Sequence, residues 1–197
     1  KAAVFAEDGR LLALAYEEYD YQHPRPGWAE LDSSQVWEGV QRTIAQVARQ
    51  ARHDPIKALS VSSLGEAVVP VTRQREILGP SLLNFDARGA EYLPELQRHL
   101  AINLADAGAC TADERLYRIN GNTLGNHYSL TKLKWIQRRQ PELYQQADHF
   151  LHWSGLVSFM LGADVAVDYS LANRTLLFDL GQGAWSDELL ELAQLDR

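Results

Sequence analysis

The order of apolar patterns along the chain predicts an α/β or α+β domain. Short β-prone runs, broken by one helix, occupy roughly the first 85 residues, and helical spacings dominate from Arg88 onward. No internal repeat or low-complexity stretch interrupts them. Strands first and helices later, with mixed connections, make a layered domain of both element types. At 197 residues the chain is long enough for one domain with a sizeable core.

Each element follows from its residues. Residues 1–7 and 11–18 are two apolar, β-prone runs separated by Glu7-Asp8-Gly9-Arg10. Asp8-Gly9 is a hairpin signal, because both central residues of a type I′ turn need positive φ. His23-Pro24-Arg25-Pro26-Gly27 predicts a stiff extended connector. Asp32 or Ser33 can cap a helix over about 34–52, where Val36, Trp37, Val40, Ile44, Val47 and Ala48 share one face. Residues 56–62 read as a buried strand through Ile56, Ala58, Leu59 and Val61. Residues 67–71 and 78–85 make two more, with a polar stretch between. Helical spacing recurs over 88–100, 113–119, 129–139 and 141–147, with Pro141 suited to a first turn. A strand over 150–153, a helix over 156–161 closed by Gly162, and a last helix capped by Ser186 complete the chain.

Charge and composition narrow the function classes. Nineteen basic against 26 acidic side chains give a net charge of −7 and a pI near 5.3. That balance argues against nucleic-acid or membrane-surface partners, which favour a basic face. Cys110 is the only cysteine, so no internal disulfide can form, and a cytoplasmic setting is expected. No apolar run approaches 18 residues and no secretory signal is visible. The first residue is Lys1 rather than Met and an apolar run begins at once, while Leu189, Leu190, Leu192 and Leu195 carry an apolar helix up to the last residues. The expectation is a single domain over 1–197, truncated at both ends.

Five motifs in order point further. Lys1 to Arg10 is similar to the segment after the D-x-G-T phosphate loop of FGGY carbohydrate kinases. Pro26-Gly27-Trp28-Ala29-Glu30, followed by Trp37, resembles that family's P-G-W-x-E…W stretch. Ser129-Leu130-Thr131-Lys132-Leu133-Lys134-Trp135 with Pro141-Glu142 resembles its S-x-x-K-L-x-W…PE helix. Asp168-Tyr169-Ser170-Leu171-Ala172-Asn173-Arg174-Thr175 resembles D-Y-S-x-A-S-R-T, and Trp185 to Leu190 completes the series. The resemblance implies an actin-like ATPase (ribonuclease H-like) domain, with a central mixed β-sheet flanked by helices. It also implies ATP and Mg²⁺ as cofactors, a sugar or polyol substrate, and a C-terminal nucleotide-binding domain absent from this chain. The phosphate loop and the family's catalytic aspartate fall outside residues 1–197, so no catalytic residue is assigned, and Asp168 belongs to another motif. Lys1 falls where the family has a basic residue closing the nucleotide-phosphate loop. The face that docks the second domain is expected to be apolar or mixed, and in isolation it could support a homodimer.

The same resemblance locates the substrate. Leu64-Gly65-Glu66 aligns with the Q-M-H of xylulose kinases and the Q-R-E of glycerol kinases, so Glu66 matches the glycerol-kinase acid, while Leu64 and Gly65 match neither. A carboxylate at a strand end can accept hydrogen bonds from two hydroxyls. The alternative is a loop acid pointing to water. Asn84-Phe85-Asp86-Ala87-Arg88 resembles W-x-D-x-R, which makes Asp86 and Arg88 either cleft residues or a local pair holding the turn. His127 aligns with a substrate-contacting tyrosine, or is a surface residue preceding a helix. Trp28 and Trp135 read as core anchors. His149 and His152 form an H-x-x-H pair with no third ligand at useful spacing, so no metal site is expected.

The expected activity is phosphoryl transfer from ATP to a sugar or polyol hydroxyl, with this domain holding the sugar. Glu66 favours a neutral polyol or ketose over an acid sugar, since like charges repel in a dry cleft. A non-catalytic sugar-binding or regulatory protein of the same fold is the first alternative. Another actin-like ATPase is the second; it should lack the Pro26-Gly27-Trp28 and Asp168-to-Thr175 stretches.

Overall fold

The Asp8-Gly9 signal produces the expected hairpin but not a type I′ turn. Gly9 takes φ 85° while Asp8 has no positive φ, and the turn joins β1 (Ala2–Phe5) to β2 (Leu11–Ala15) in an antiparallel pair. The computed structural model describes residues 1–52, 54–102 and 111–196; Cys110 lies outside them. The predicted connector over 23–27 leads through Gly27 at φ 79° into a short strand, β3 (Glu30–Leu31). Asp32 then caps α1 (Ser33–Gln50), its carboxylate accepting the Gln35 amide at 3.0 Å. Val47 of α1 packs on Ala13 and Ala15 of the hairpin, so the amphipathic pattern is what ties these two elements together.

Residues 56–62 correct the sequence reading. They join no ladder, and Ile56 and Leu59 leave about half their surface in solvent, 49% and 51%. A strand exists only with a neighbour to take its backbone hydrogen bonds, and alternating apolar residues do not supply one. The chain regains order at β4 (Val68–Val71). The long strand predicted over 78–85 shrinks to β5 (Ser81–Leu82), which pairs with β3.

The helical half follows the predicted pattern. A 3₁₀ turn (Ala90–Tyr92) leads into α2 (Leu93–Ile102). Next come α3 (Ala112–Asn120), with a Thr111–Glu114 capping box, α4 (Ser129–Arg139), and α5 (Pro141–Gln146) with proline in its first turn. β6 (His149–His152) runs directly into α6 (Trp153–Met160), which Gly162 ends at φ 105°. Neither α7 (Tyr169–Asn173) nor the strands β7 (Phe178–Asp179) and β8 (Ala184–Trp185) are foreseen from the residue pattern; α8 (Asp187–Ala193) is capped by Ser186 as expected.

Among the described residues the strands pair as four antiparallel ladders, β1–β2, β3–β5, β4–β6 and β7–β8, rather than as one continuous mixed sheet. The β4–β6 ladder organises the centre. One face presents Val69, Val71 and Leu151 to Leu156 and Phe159 of α6 and to Val36 of α1. The other presents Val68, Phe150 and His152 to a cavity of about 440 Å³ that Leu133, Leu177, Trp185 and Leu190 also line. A separate leucine cluster joins α2, α3, α4 and α8 through Leu96, Leu100, Leu116, Leu130, Leu189 and Leu190. Each fully buried leucine contributes roughly 1.5–3 kcal/mol of transfer free energy.

Candidate functional site

The turn after β5 is built on a polar network that is fully engaged. Asp86 is sealed from solvent at 0% exposure. Its Oδ2 accepts the Ala29 amide at 2.6 Å and its Oδ1 accepts the Arg88 amide at 2.7 Å. Arg88, 5% exposed, returns Nε and Nη2 to the same carboxylate and extends Nη2 to Glu30 at 2.6 Å. Its guanidinium lies 4.0 Å from the Trp28 ring centre and 5.2 Å from that of Trp135; Trp135 is a core anchor as expected, whereas Trp28 is only partly buried and stacks with arginine. Burial alone would raise the Asp86 carboxyl, but Arg88 and the two amides outweigh it and hold it below the ordinary aspartate value.

Lys132 locks this turn to α4. Its ammonium donates to three carbonyls, Asp86 at 2.6 Å, Asn126 at 2.7 Å and Arg88 at 2.9 Å. Burial pushes it down to about 8, against the pull of Asp86. Gly89 makes the docking possible. It sits at φ 90°, and a Cβ there would lie 2.3 Å from the Thr131 carbonyl oxygen. Of the two readings open for Asp86 and Arg88, the structure shows the pair holding the turn; both face inward and neither lines an open cleft.

Glu66 is assembled differently. It is 7% exposed, largely withdrawn from water. Its backbone sits at φ 64°, a left-handed conformation that costs a non-glycine residue on the order of 1–3 kcal/mol. Its carbonyl accepts the Ser129 hydroxyl at 2.6 Å, at the start of α4. Arg174 directs both Nε and Nη2 at the single oxygen Oε1. Oε2 receives no hydrogen bond from a described residue, yet it is not among the polar atoms closed off from solvent. A buried carboxylate therefore presents one open acceptor.

Around it the structure gathers three of the other candidates. Gly65 packs against the stem of Arg174, and Leu64 is 40% exposed beside it. The exposed ring of His127 lies 4.0 Å from that of Tyr128, over which the Arg174 guanidinium sits at 4.6 Å. The amides of Ser129 and Leu130 bond to the carbonyls of Arg174 and Thr175, which fixes the two segments together. Asn126, adjoining His127, donates Nδ2 to the Asp86 carbonyl at 2.9 Å while its own Oδ1 is buried without a partner. Lys1 stands apart, its Nζ 5.9 Å from the Tyr16 ring centre at the start of the hairpin.

Beneath the rim, Ser129 also meets His152. With the hydroxyl proton committed to Glu66, Ser129 Oγ accepts from His152 Nε2 at 3.3 Å, which suits a neutral imidazole. Burial holds His152 at about 4, the nearby Asp168 opposing weakly. Among the described residues no group of three or more His, Cys, Asp or Glu side chains could hold a metal ion. No helix among them is long and apolar enough to cross a membrane. Sequence reasoning missed Arg174, Tyr128 and Ser129 as members of this site. Arg174 and Ser129 lay inside quoted motifs, but nothing in their spacing pairs them with a residue in the sixties.

Comparison with known proteins identifies the family. The description "FGGY family of carbohydrate kinases, N-terminal domain" matches residues 1–197. The glycerol kinase of Thermococcus onnurineus (strain NA1) is 27% identical over 198 residues, covering 98% of this chain and 38% of that protein. The xylulose kinase of Escherichia coli (strain K12) is 26% identical over 197 residues, covering 100% of this chain and 38% of the relative. The crystal structure of xylulose kinase from Rhodospirillum rubrum superposes with a TM-score of 0.82 at 22% identity, over 98% of this chain and 38% of that one. The chain thus spans under two-fifths of the length of these relatives, and it belongs to the FGGY family of carbohydrate kinases, as that family's N-terminal domain, with the actin-like ATPase fold.

Proposed function

We propose that the full-length protein transfers a phosphoryl group from ATP to a hydroxyl of a small neutral polyol or ketose, and that this domain binds and orients that substrate at the Glu66 rim. The observation that carries the reading is the open oxygen of Glu66, a buried acid held on left-handed backbone. Strain of this kind persists where the surroundings enforce it, and it clusters at ligand sites. Oε2 accepts substrate hydroxyls, His127 at the rim donates to or accepts from another, and Leu64 covers the apolar side of the ligand. Asp86 and Arg88 act from below, by fixing the turn beside Asn126 and His127. Holding the hydroxyl in line with the phosphoryl donor is this domain's contribution to rate.

The names of the relatives support a sugar or polyol substrate and ATP as donor. No Mg²⁺ ligand is assigned here, because the described residues offer no fitting cluster. Lys1 is retained as a contact to nucleotide phosphate from the start of the hairpin. The short span relative to the relatives supports a C-terminal domain that binds nucleotide. The exposed Phe5, Leu11 and Leu14 of the hairpin suit such a partner, and could pair two copies of the isolated domain. One cysteine and an acidic balance fit a cytoplasmic protein.

The test is Glu66→Gln in the full-length protein, assayed by ADP release with glycerol and with xylulose. We expect kcat/KM for the accepted substrate to fall by roughly ten- to a hundredfold, with the KM for ATP little changed. Unchanged sugar kinetics would remove Glu66 from the site. No sugar-dependent ADP release from the wild type would favour a binding protein without chemistry.

A further inference from the structure

We infer that Arg174 is a positioning residue for substrate binding, acting through Glu66; the inference rests on the reading of Glu66 given above. A carboxylate offers two equivalent oxygens, and a guanidinium fork normally takes both in parallel. Here Nε and Nη2 converge on Oε1 alone, so the arginine fixes the carboxylate plane and leaves Oε2 as the open acceptor. The guanidinium is itself held. It lies 4.6 Å from the Tyr128 ring centre, and the Arg174 carbonyl accepts the Ser129 amide at 3.4 Å. Gly65 packs alongside it, where a Cβ would stand in ordinary contact, 3.4 Å from the Arg174 Cγ and 3.5 Å from a Leu171 methyl. The same arginine places its opposite charge against the acid in a site where that residue is only 7% exposed. Three separate segments, at 65–66, 128–129 and 174, thus orient one oxygen.

The arrangement gives a specific energetic signature. If Arg174 acts by orienting Glu66, its removal matters only while the Glu66 carboxylate is present. Residues acting as a unit show strong non-additivity in a double-mutant cycle. A side chain that served only the local packing would lower both backgrounds alike.

The experiment is that cycle in the full-length protein, with glycerol and xylulose as probes and ATP saturating. Arg174→Gln is expected to lower kcat/KM roughly tenfold or more, mainly by raising the sugar KM, and to leave the KM for ATP alone. Arg174→Lys, which keeps the charge but not the fork, should recover part of the loss. Guanidinium added to Arg174→Ala should recover part as well. In the Glu66→Gln background, Arg174→Gln should add less than roughly threefold. An equal loss in both backgrounds overturns the inference, as does a full effect of Glu66→Gln with none from Arg174→Gln. A Glu66→Gln variant with wild-type sugar kinetics instead defeats the site reading itself, so the two failures are distinguishable. Should Arg174→Gln not fold, Arg174→Lys carries the cycle, and a sugar KM identical to wild type in that variant would overturn the inference.

Discussion

Two acid–arginine pairs in this domain use the same chemistry and arrive at opposite states. In the Asp86–Arg88 pair both carboxylate oxygens are filled, by two amides and a guanidinium, and the arginine lies over Trp28 with Trp135 beside it. In the Glu66–Arg174 pair one oxygen is filled and the other open, the backbone is left-handed, and the arginine keeps about a third of its side chain in solvent. A saturated buried pair has nothing left to offer a ligand; a half-satisfied one does. Burial and charge alone would not have told them apart, because both acids are under 9% exposed. The count of occupied lone pairs does.

The largest effect expected from this contrast is on folding. Asp86→Asn leaves Arg88 facing Glu30 alone and removes the charge that holds it, so the domain should lose about 3–5 kcal/mol in urea unfolding. A loss under about 1 kcal/mol would mean that the network is not the support described. Next comes acid sensitivity beneath the rim. Burial keeps His152 neutral in the folded state down to about pH 4, whereas the unfolded chain takes the proton near 6.5. In that window the unfolded state binds more protons, so stability is lost as pH falls, by about 2 kcal/mol between pH 7 and pH 5. His152→Gln should remove that component; a variant losing as much as wild type over the same range would reject the assignment. The smallest effect concerns the strained acid. Glu66→Gly relieves the left-handed residue while breaking its ion pair, two changes of opposite sign, so stability should move by less than about 1 kcal/mol. Sugar binding should be abolished, and calorimetry with glycerol or xylulose alongside a melting curve would check both halves.

The scaffold was far more legible than the site. The hairpin, α1, α5 and α8 follow from local signals, Asp8-Gly9, Asp32, Pro141 and Ser186, and α3 and α4 from helical spacing. The run at 56–62 misled, because alternation marks a residue as suited to a strand but not which backbone will meet it. Asp86 and Arg88 are two residues apart, so a pair was foreseeable, yet its saturation depends on Ala29, Glu30 and Lys132 from elsewhere in the chain. For Glu66, sequence could nominate the acid but not its conformation: a positive φ at a glutamate has no composition signal. Arg174 stood in plain view within a motif, and only the fold brings it across.

That separation in sequence also bears on synthesis. Glu66 and Arg174 are 108 residues apart, with Ser129, the third tie, between them. At about 5–20 residues per second, a ribosome exposes the strained turn roughly 5–20 s before its arginine emerges. Through that interval the nascent chain carries an acid with no counter-charge on a backbone that nothing yet enforces. The rim therefore closes among the last features of the domain, and the Glu66–Arg174 ion pair can form only in a nascent chain translated beyond Arg174.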